Sequence, residues 1–164
     1  MAYYLHTLQY RSIGIKGPDP QPGINARKLV AWCAEESIAT CGLLGQIADL
    51  QIPARKASIA AIAKLIQIAA TGQPVAEFYD EKQCHKTHSF KYKGKVRDVW
   101  RVRKNDVRVT FYYGRDKLIL LTHAFEKRTD KLTEAQEREL EGAVKAFIDA
   151  EEAKILTYVT EPKK

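Results

Sequence analysis

The sequence predicts an α+β fold in one domain over 1–164, and three observations predict it. Apolar residues recur at helical spacing in the first half. After residue 88 the period changes to two. A final segment returns to helical spacing and opens on a capping pair. Strands grouped together, with helices before and after them, imply a small, curved, antiparallel-rich sheet rather than repeated βαβ units. The expected layout is an N-terminal helical hairpin, the sheet, and a C-terminal helix.

Residues 3–10, "YYLHTLQY", are rich in Tyr and Leu and form the expected first strand. "GPDPQPG", residues 17–23, is a loop by its Pro and Gly content. Asn25 is placed to cap a helix starting near Ala26, in which Leu29, Val30, Trp32, Cys33 and Ile38 follow helical spacing. Gly42 and Gly45 are its expected break points. Pro53 suits the first turn of a second helix, whose stripe is Ile59, Ile62, Leu65, Ile66 and Ala69. Gly72 and Pro74 stop it.

In "KVRDVWRVRK", Val96, Asp98, Trp100 and Val102 face one way and Arg97, Val99, Arg101 and Arg103 the other. Asn105–Asp106 reads as a two-residue hairpin turn into "VRVTFYYG". "KLILLTHAF", 117–125, is nearly continuous in apolar residues, as a central strand requires. The last helix opens with Thr133 and Gln136 and buries Leu140, Val144, Phe147 and Ile148.

Composition, 45% hydrophobic, excludes a disordered chain. No apolar run reaches the ~18 residues of a membrane span, and the N-terminus lacks signal-peptide features. The expectation is a soluble, cytoplasmic protein with no membrane partner. Three cysteines, Cys33, Cys41 and Cys84, lack a framework spacing and read as buried thiols in a reducing compartment.

The net charge is +7, and residues 85–108 hold all of the excess, with nine basic and two acidic residues. Such a block suggests a polyanion partner, nucleic acid first. With the Asn105–Asp106 turn, Arg103 pairs with Arg108, Arg101 with Thr110, and Trp100 with Phe111. One face is then core. The other gathers Arg101, Arg103, Arg108, Thr110 and Tyr112. Opposed arginines repel, but an anion between them would offset this, because guanidinium groups match phosphate oxygens bidentately. Tyr112 and Tyr92 are placed where a base could stack. The alternative is salt bridges to Asp98, Asp106 or the acidic last helix.

His123 lies on the apolar third strand of this group, near the basic pair Lys127 and Arg128. It reads either as a satisfied core histidine or as a proton-transfer group. Cys84, His85 and His88 are metal-capable but lack a second cluster at zinc spacing, so no metal or other cofactor is expected.

The stretch "VWRVRKNDVRVTFYYGRDKLILLTHAFEKRTDKLTEAQERELEGAV" resembles RelE/HigB-type toxins of type II toxin–antitoxin systems, in the phage-derived HigB-like branch. The matching positions are Trp100, Arg103, Val107, Arg108, Phe111, Leu121, Phe125, Lys127, Arg128 and Thr129. With the upstream helix and its Gly-x-Pro exit, the likeness covers roughly 45–148, leaving 1–44 as an extended N-terminal segment. The resemblance implies a RelE-like curved sheet with two helices on one side. It also implies a metal-free endoribonuclease that cuts mRNA, in association with the ribosome, and is neutralised by a helix-turn-helix antitoxin with an acidic segment. Arg103, Arg108 and Arg128 would stabilise the scissile phosphate, and His123 or Tyr112 would move the proton. RNA contacts would come from Lys91, Lys93, Lys95, Arg97, Arg101 and Lys127. Arg101 departs from the branch, which carries Glu there. The rival readings are a non-catalytic nucleic-acid- or protein-binding module and a gyrase-targeting toxin.

Overall fold

The computed structural model describes residues 2–127 and 132–159. Its strands are β1 (Tyr3–Thr7), β2 (Lys28–Cys33), β3 (Cys84–Tyr92), β4 (Lys95–Lys104), β5 (Val107–Tyr113), β6 (Leu118–Glu126) and β7 (Leu156–Tyr158). Its α-helices are α1 (Gly42–Ala48), α2 (Ile52–Thr71) and α3 (Glu134–Ala153). Among the described residues these strands form one open mixed sheet in the order β3-β4-β5-β6-β2-β1-β7. The α+β class holds.

The helix expected from Ala26 is a strand, β2. It pairs parallel to β6 and antiparallel to β1. Leu29, Val30 and Ala31 are all buried because β2 is central and both its faces are covered. A short apolar run of that kind cannot be told from a helix by periodicity. The first α-helix begins only at Gly42, as the seven-residue α1. Asn25 caps nothing here; its carbonyl instead packs against Gly72, the left-handed residue (φ 77°) that ends α2.

The sheet carries a layer on each side. Leu29, Ala31, Val102, Val109, Phe111, Ile119 and Leu121 pack under α1 and α2. Val30, Val99, Tyr112, Leu118 and Leu120 pack under Leu140, Val144, Phe147 and Ile148 of α3. The expected α3 stripe is therefore buried as expected. Its cap also forms: Thr133 Oγ1 accepts from Gln136 N at 3.1 Å, and Gln136 Oε1 accepts from Thr133 N at 3.0 Å.

The β4–β5 register follows the expected turn: Lys104 pairs with Val107, Arg103 with Arg108, Val102 with Val109, Arg101 with Thr110, and Trp100 with Phe111. Asn105 takes the left-handed conformation (φ 54°) that the tight turn demands. β3, not expected as a separate strand, forms a hairpin with β4 through Lys93 (φ 51°) and Gly94 (φ 76°).

Candidate nucleic-acid interface and adjoining cleft

Four strands set one polar row on the α3 side of the sheet. His85 pairs with Arg101, Arg101 with Thr110, and Thr110 with His123. The neighbouring row is Arg103, Arg108 and Phe125. Two bulges make this alignment, one at Thr87 in β3 and one at Thr122 in β6. Opposite Thr110, β6 supplies both Thr122 and His123, which resets the pleat and turns His123 to the α3 side. Thr110 secures the bulge by bonding to Thr122 Oγ1 and accepting from His123 N at 3.1 Å.

The structure thus brings Arg101, Arg103, Arg108 and His123 together, but not as an open cationic face. Arg101 and Arg108 are each only 1% exposed. Both guanidinium groups are buried and bonded within the protein, so the open cationic face expected of them is not formed in this arrangement. Arg101 bonds to His85 Nε2. Arg103 Nε and Arg108 Nη1 both donate to the Asn105 carbonyl at 3.2 Å. That shared acceptor offsets part of the repulsion between two opposed arginines.

Tyr112 lies elsewhere. Its ring is buried against Phe147, and its hydroxyl accepts from Arg97 Nη1 at 3.2 Å, so it offers no stacking surface. Tyr92 donates to Asp149 Oδ1 at 2.7 Å. Lys93 pairs with Asp149 (2.9 Å) and Glu152 (2.7 Å) of α3, which raise its pKa. The acidic last helix therefore takes up some of the basic block. Lys86 pairs with Asp98 at 3.4 Å. Lys91, Lys95 and Lys104 are exposed and make no ion pair among the described residues. Lys127 Nζ donates to Gln136 Oε1 at 3.2 Å. Arg128 and Thr129 lie outside the described residues.

Cys84, His85 and His88 diverge. Cys84 is in the α2-side core, and His88 faces Glu137 (3.7 Å) and Glu141 (3.2 Å) on α3. Among the described residues no three metal-capable side chains converge. Cys33, Cys41 and Cys84 are buried free thiols, as expected.

His123 opens onto a cleft of about 510 Å³ between α1 and α3, walled by Tyr3, Trp32, Leu43, Leu121 and Ala143. A second hollow of about 320 Å³ shares Gln46, His123 and Glu139 with it. His123 Nε2 stands 3.2 Å from Glu139 Oε1. Burial holds the imidazole below its usual pKa, against the opposing pull of the Glu139 carboxylate. At neutral pH His123 is thus an uncharged ring able to accept a proton, with Glu139 orienting it.

Sequence reading missed Trp32, Gln46 and Glu139. Trp32 falls in the stretch whose spacing predicts a helix, and Glu139 carries no signal beyond its place on a polar helix face. Once β2 and β6 are known to be parallel neighbours, the cleft is foreseeable at their carboxyl ends. No family model matches the chain, and no curated protein matches it significantly. The fold and this site define an open-sheet α+β protein with a histidine–carboxylate pair in an aromatic-walled cleft.

Proposed function

We propose that the protein is the toxin of a type II toxin–antitoxin pair and cuts mRNA without a metal, in association with the ribosome. One observation carries this reading: His123 adjoins the Arg101/Arg103/Arg108 cluster across two strands, on the same side of the sheet. Metal-free RNA cleavage needs that combination. The 2′-oxygen attacks the adjacent phosphorus, the His123–Glu139 pair takes up the 2′-hydroxyl proton through its exposed carboxylate, and the P–O5′ bond breaks as an acid returns a proton to the 5′-oxygen. Cationic groups offset the charge on the phosphorane. Arg103, which is only half-buried, is the one of these three arginines nearest to solvent. Lys91, Lys95 and Lys104 would guide the strand. The RelE-like resemblance of 45–148 supports the same reading. An acidic antitoxin segment, from a helix-turn-helix protein, would cover the cationic cluster in the cytoplasm.

Induced expression with transcript-end mapping tests this. Growth arrest with new mRNA ends is expected, both abolished by His123→Ala and weakened by Arg103→Ala in variants shown to fold. Arrest without new ends, or full cleavage by folded His123→Ala, would sink it. DNA-damage signalling without cleavage would favour the gyrase-targeting alternative.

A second reading is favoured by the burial of Arg101 and Arg108. On this reading the cluster is structural and the chain only binds nucleic acid through its exposed lysines. Affinity that falls steeply with salt, with no cleavage, would select it.

A further inference from the structure

β2 and β6 are adjacent and parallel, and the chain leaves their carboxyl ends toward opposite layers. From β2 it runs to α1, on the side of the sheet shared with α2. From β6 it runs to α3, on the other side. Open sheets bind ligands in the crevice such a divergence leaves. The 510 Å³ cleft is that crevice, and its size suits a small planar ligand.

Its walls specify the ligand further. Trp32, at the end of β2, is 45% exposed although its neighbours in the strand are buried. Its indole rests against Gly42, where an added Cβ would lie 3.2 Å from the ring. An aromatic face so held is a stacking platform. Across the cleft, Glu139 offers only acceptors. One of its oxygens receives His123 Nε2, and the side chain is 65% exposed. Gln46 Oε1 is committed to the Ala124 amide at 3.0 Å, so its amide nitrogen is left as a donor. His123 Nδ1 is buried without a hydrogen-bond partner among the described residues. The cleft therefore presents a carboxylate acceptor and an amide donor around an aromatic plane.

We propose that this crevice binds a guanine base, stacked on Trp32, with its N1–H and N2–H groups donated to Glu139 and its O6 accepting from Gln46. Among the bases, guanine alone sets two adjacent donors beside an acceptor on one edge. The proposal rests on the RNA-cleaving reading, which it deepens: the guanine would flank the phosphate served by His123. A free guanine nucleotide would meet the same groups.

Calorimetric or fluorescence titration tests this with GMP, IMP and AMP, and with uncleavable 2′-O-methyl pentamers UUGUU and UUAUU. GMP is expected to bind at least about tenfold tighter than AMP, with IMP, which lacks the N2 amine, in between. Trp32→Ala should weaken binding by roughly 5- to 150-fold, as loss of one stacked base does, and Trp32→Phe should restore most of it. Glu139→Gln should erase the preference for guanine. Tight binding of UUGUU without GMP binding makes RNA the source; the reverse makes it the free nucleotide. Equal binding of guanine and adenine ligands in both formats, or unchanged affinity in folded Trp32→Ala, overturns the proposal. Guanine binding without RNA cleavage would keep this site and sink the nuclease reading. Cleavage without guanine preference would do the opposite.

Discussion

His123 Nε2 lies 3.2 Å from Glu139 Oε1, joining the last sheet strand before α3 to the exposed side of that helix. Burial lowers the histidine pKa and Glu139 partly restores it. A group whose folded pKa is depressed contributes stability fully above its unfolded pKa and loses it as pH falls through the folded value. Denaturant unfolding between pH 7.5 and pH 5 should therefore show a loss of stability that starts near the unfolded histidine value, ~6.5. His123→Asn should flatten that part of the profile. Glu139→Gln removes the raising influence, so the acidic limb should move to lower pH. A limb that moves upward would contradict the assignment.

Gly114 faces the core ring of Phe147, and a Cβ there would lie 2.7 Å from Cε2 and 2.9 Å from Cζ. Phe147 is fully buried and edge-packed on both Tyr3 and Tyr112, so it has little room to yield. Gly114→Ala should cost about 1–3 kcal/mol by overpacking. Phe147→Ala should cost about 3–5 kcal/mol by the opposite fault, a cavity. Urea midpoints measured on both variants would check the pair.

Gly72 ends α2 in the left-handed region, with the Asn25 backbone carbonyl directly against the place a side chain would take. Gly72→Ala meets both the left-handed penalty, about 1–2 kcal/mol, and that backbone collision. It should destabilise more than Gly94→Ala. Gly94 shares the positive φ (76°) but has open space around it. Equal thermal shifts for the two would show that the Asn25 contact carries no weight.

Burial pushes the Cys33 thiol up to about 12 and Cys84 up to about 11, and raises Cys41 as well. The thiolate is the reactive form. Labelling with a thiol reagent at pH 7.5 should be slow in the folded protein and rapid in denaturant. Fast labelling of any one cysteine in the native state would show that its segment opens.

The β4–β5 hairpin was legible residue by residue, because strict alternation and a turn dipeptide fix register together. The α3 stripe and its Thr133–Gln136 cap were equally plain. β2 was not, because "LVAWC" carries no period once both faces of a strand are buried. The charge of residues 85–108 was visible, but its disposition was not. Salt bridges to the last helix are only one of the fates the sequence allows these cations; Lys93 makes them with Asp149 and Glu152. The burial of Arg101 and Arg108 depends on tertiary packing, which local pattern does not encode. The same holds for the cleft, whose walls come from β1, β2, α1, β6 and α3.

The extra residue at Thr122 divides β6 into two halves of opposite phase. Upstream, Leu120 faces α3 and Leu121 faces α2; downstream, His123 faces α3 and Ala124 faces α2. An unbroken pleat through the same residues would put position 123 with Ile119 and Leu121, in the oily layer beneath α2. The bulge, as much as the identity of the side chain, thus decides whether this histidine serves the cleft or the core. Removing Thr122 would restore an even pleat and still leave His123 facing α3, so the site depends on phase and not on strand length.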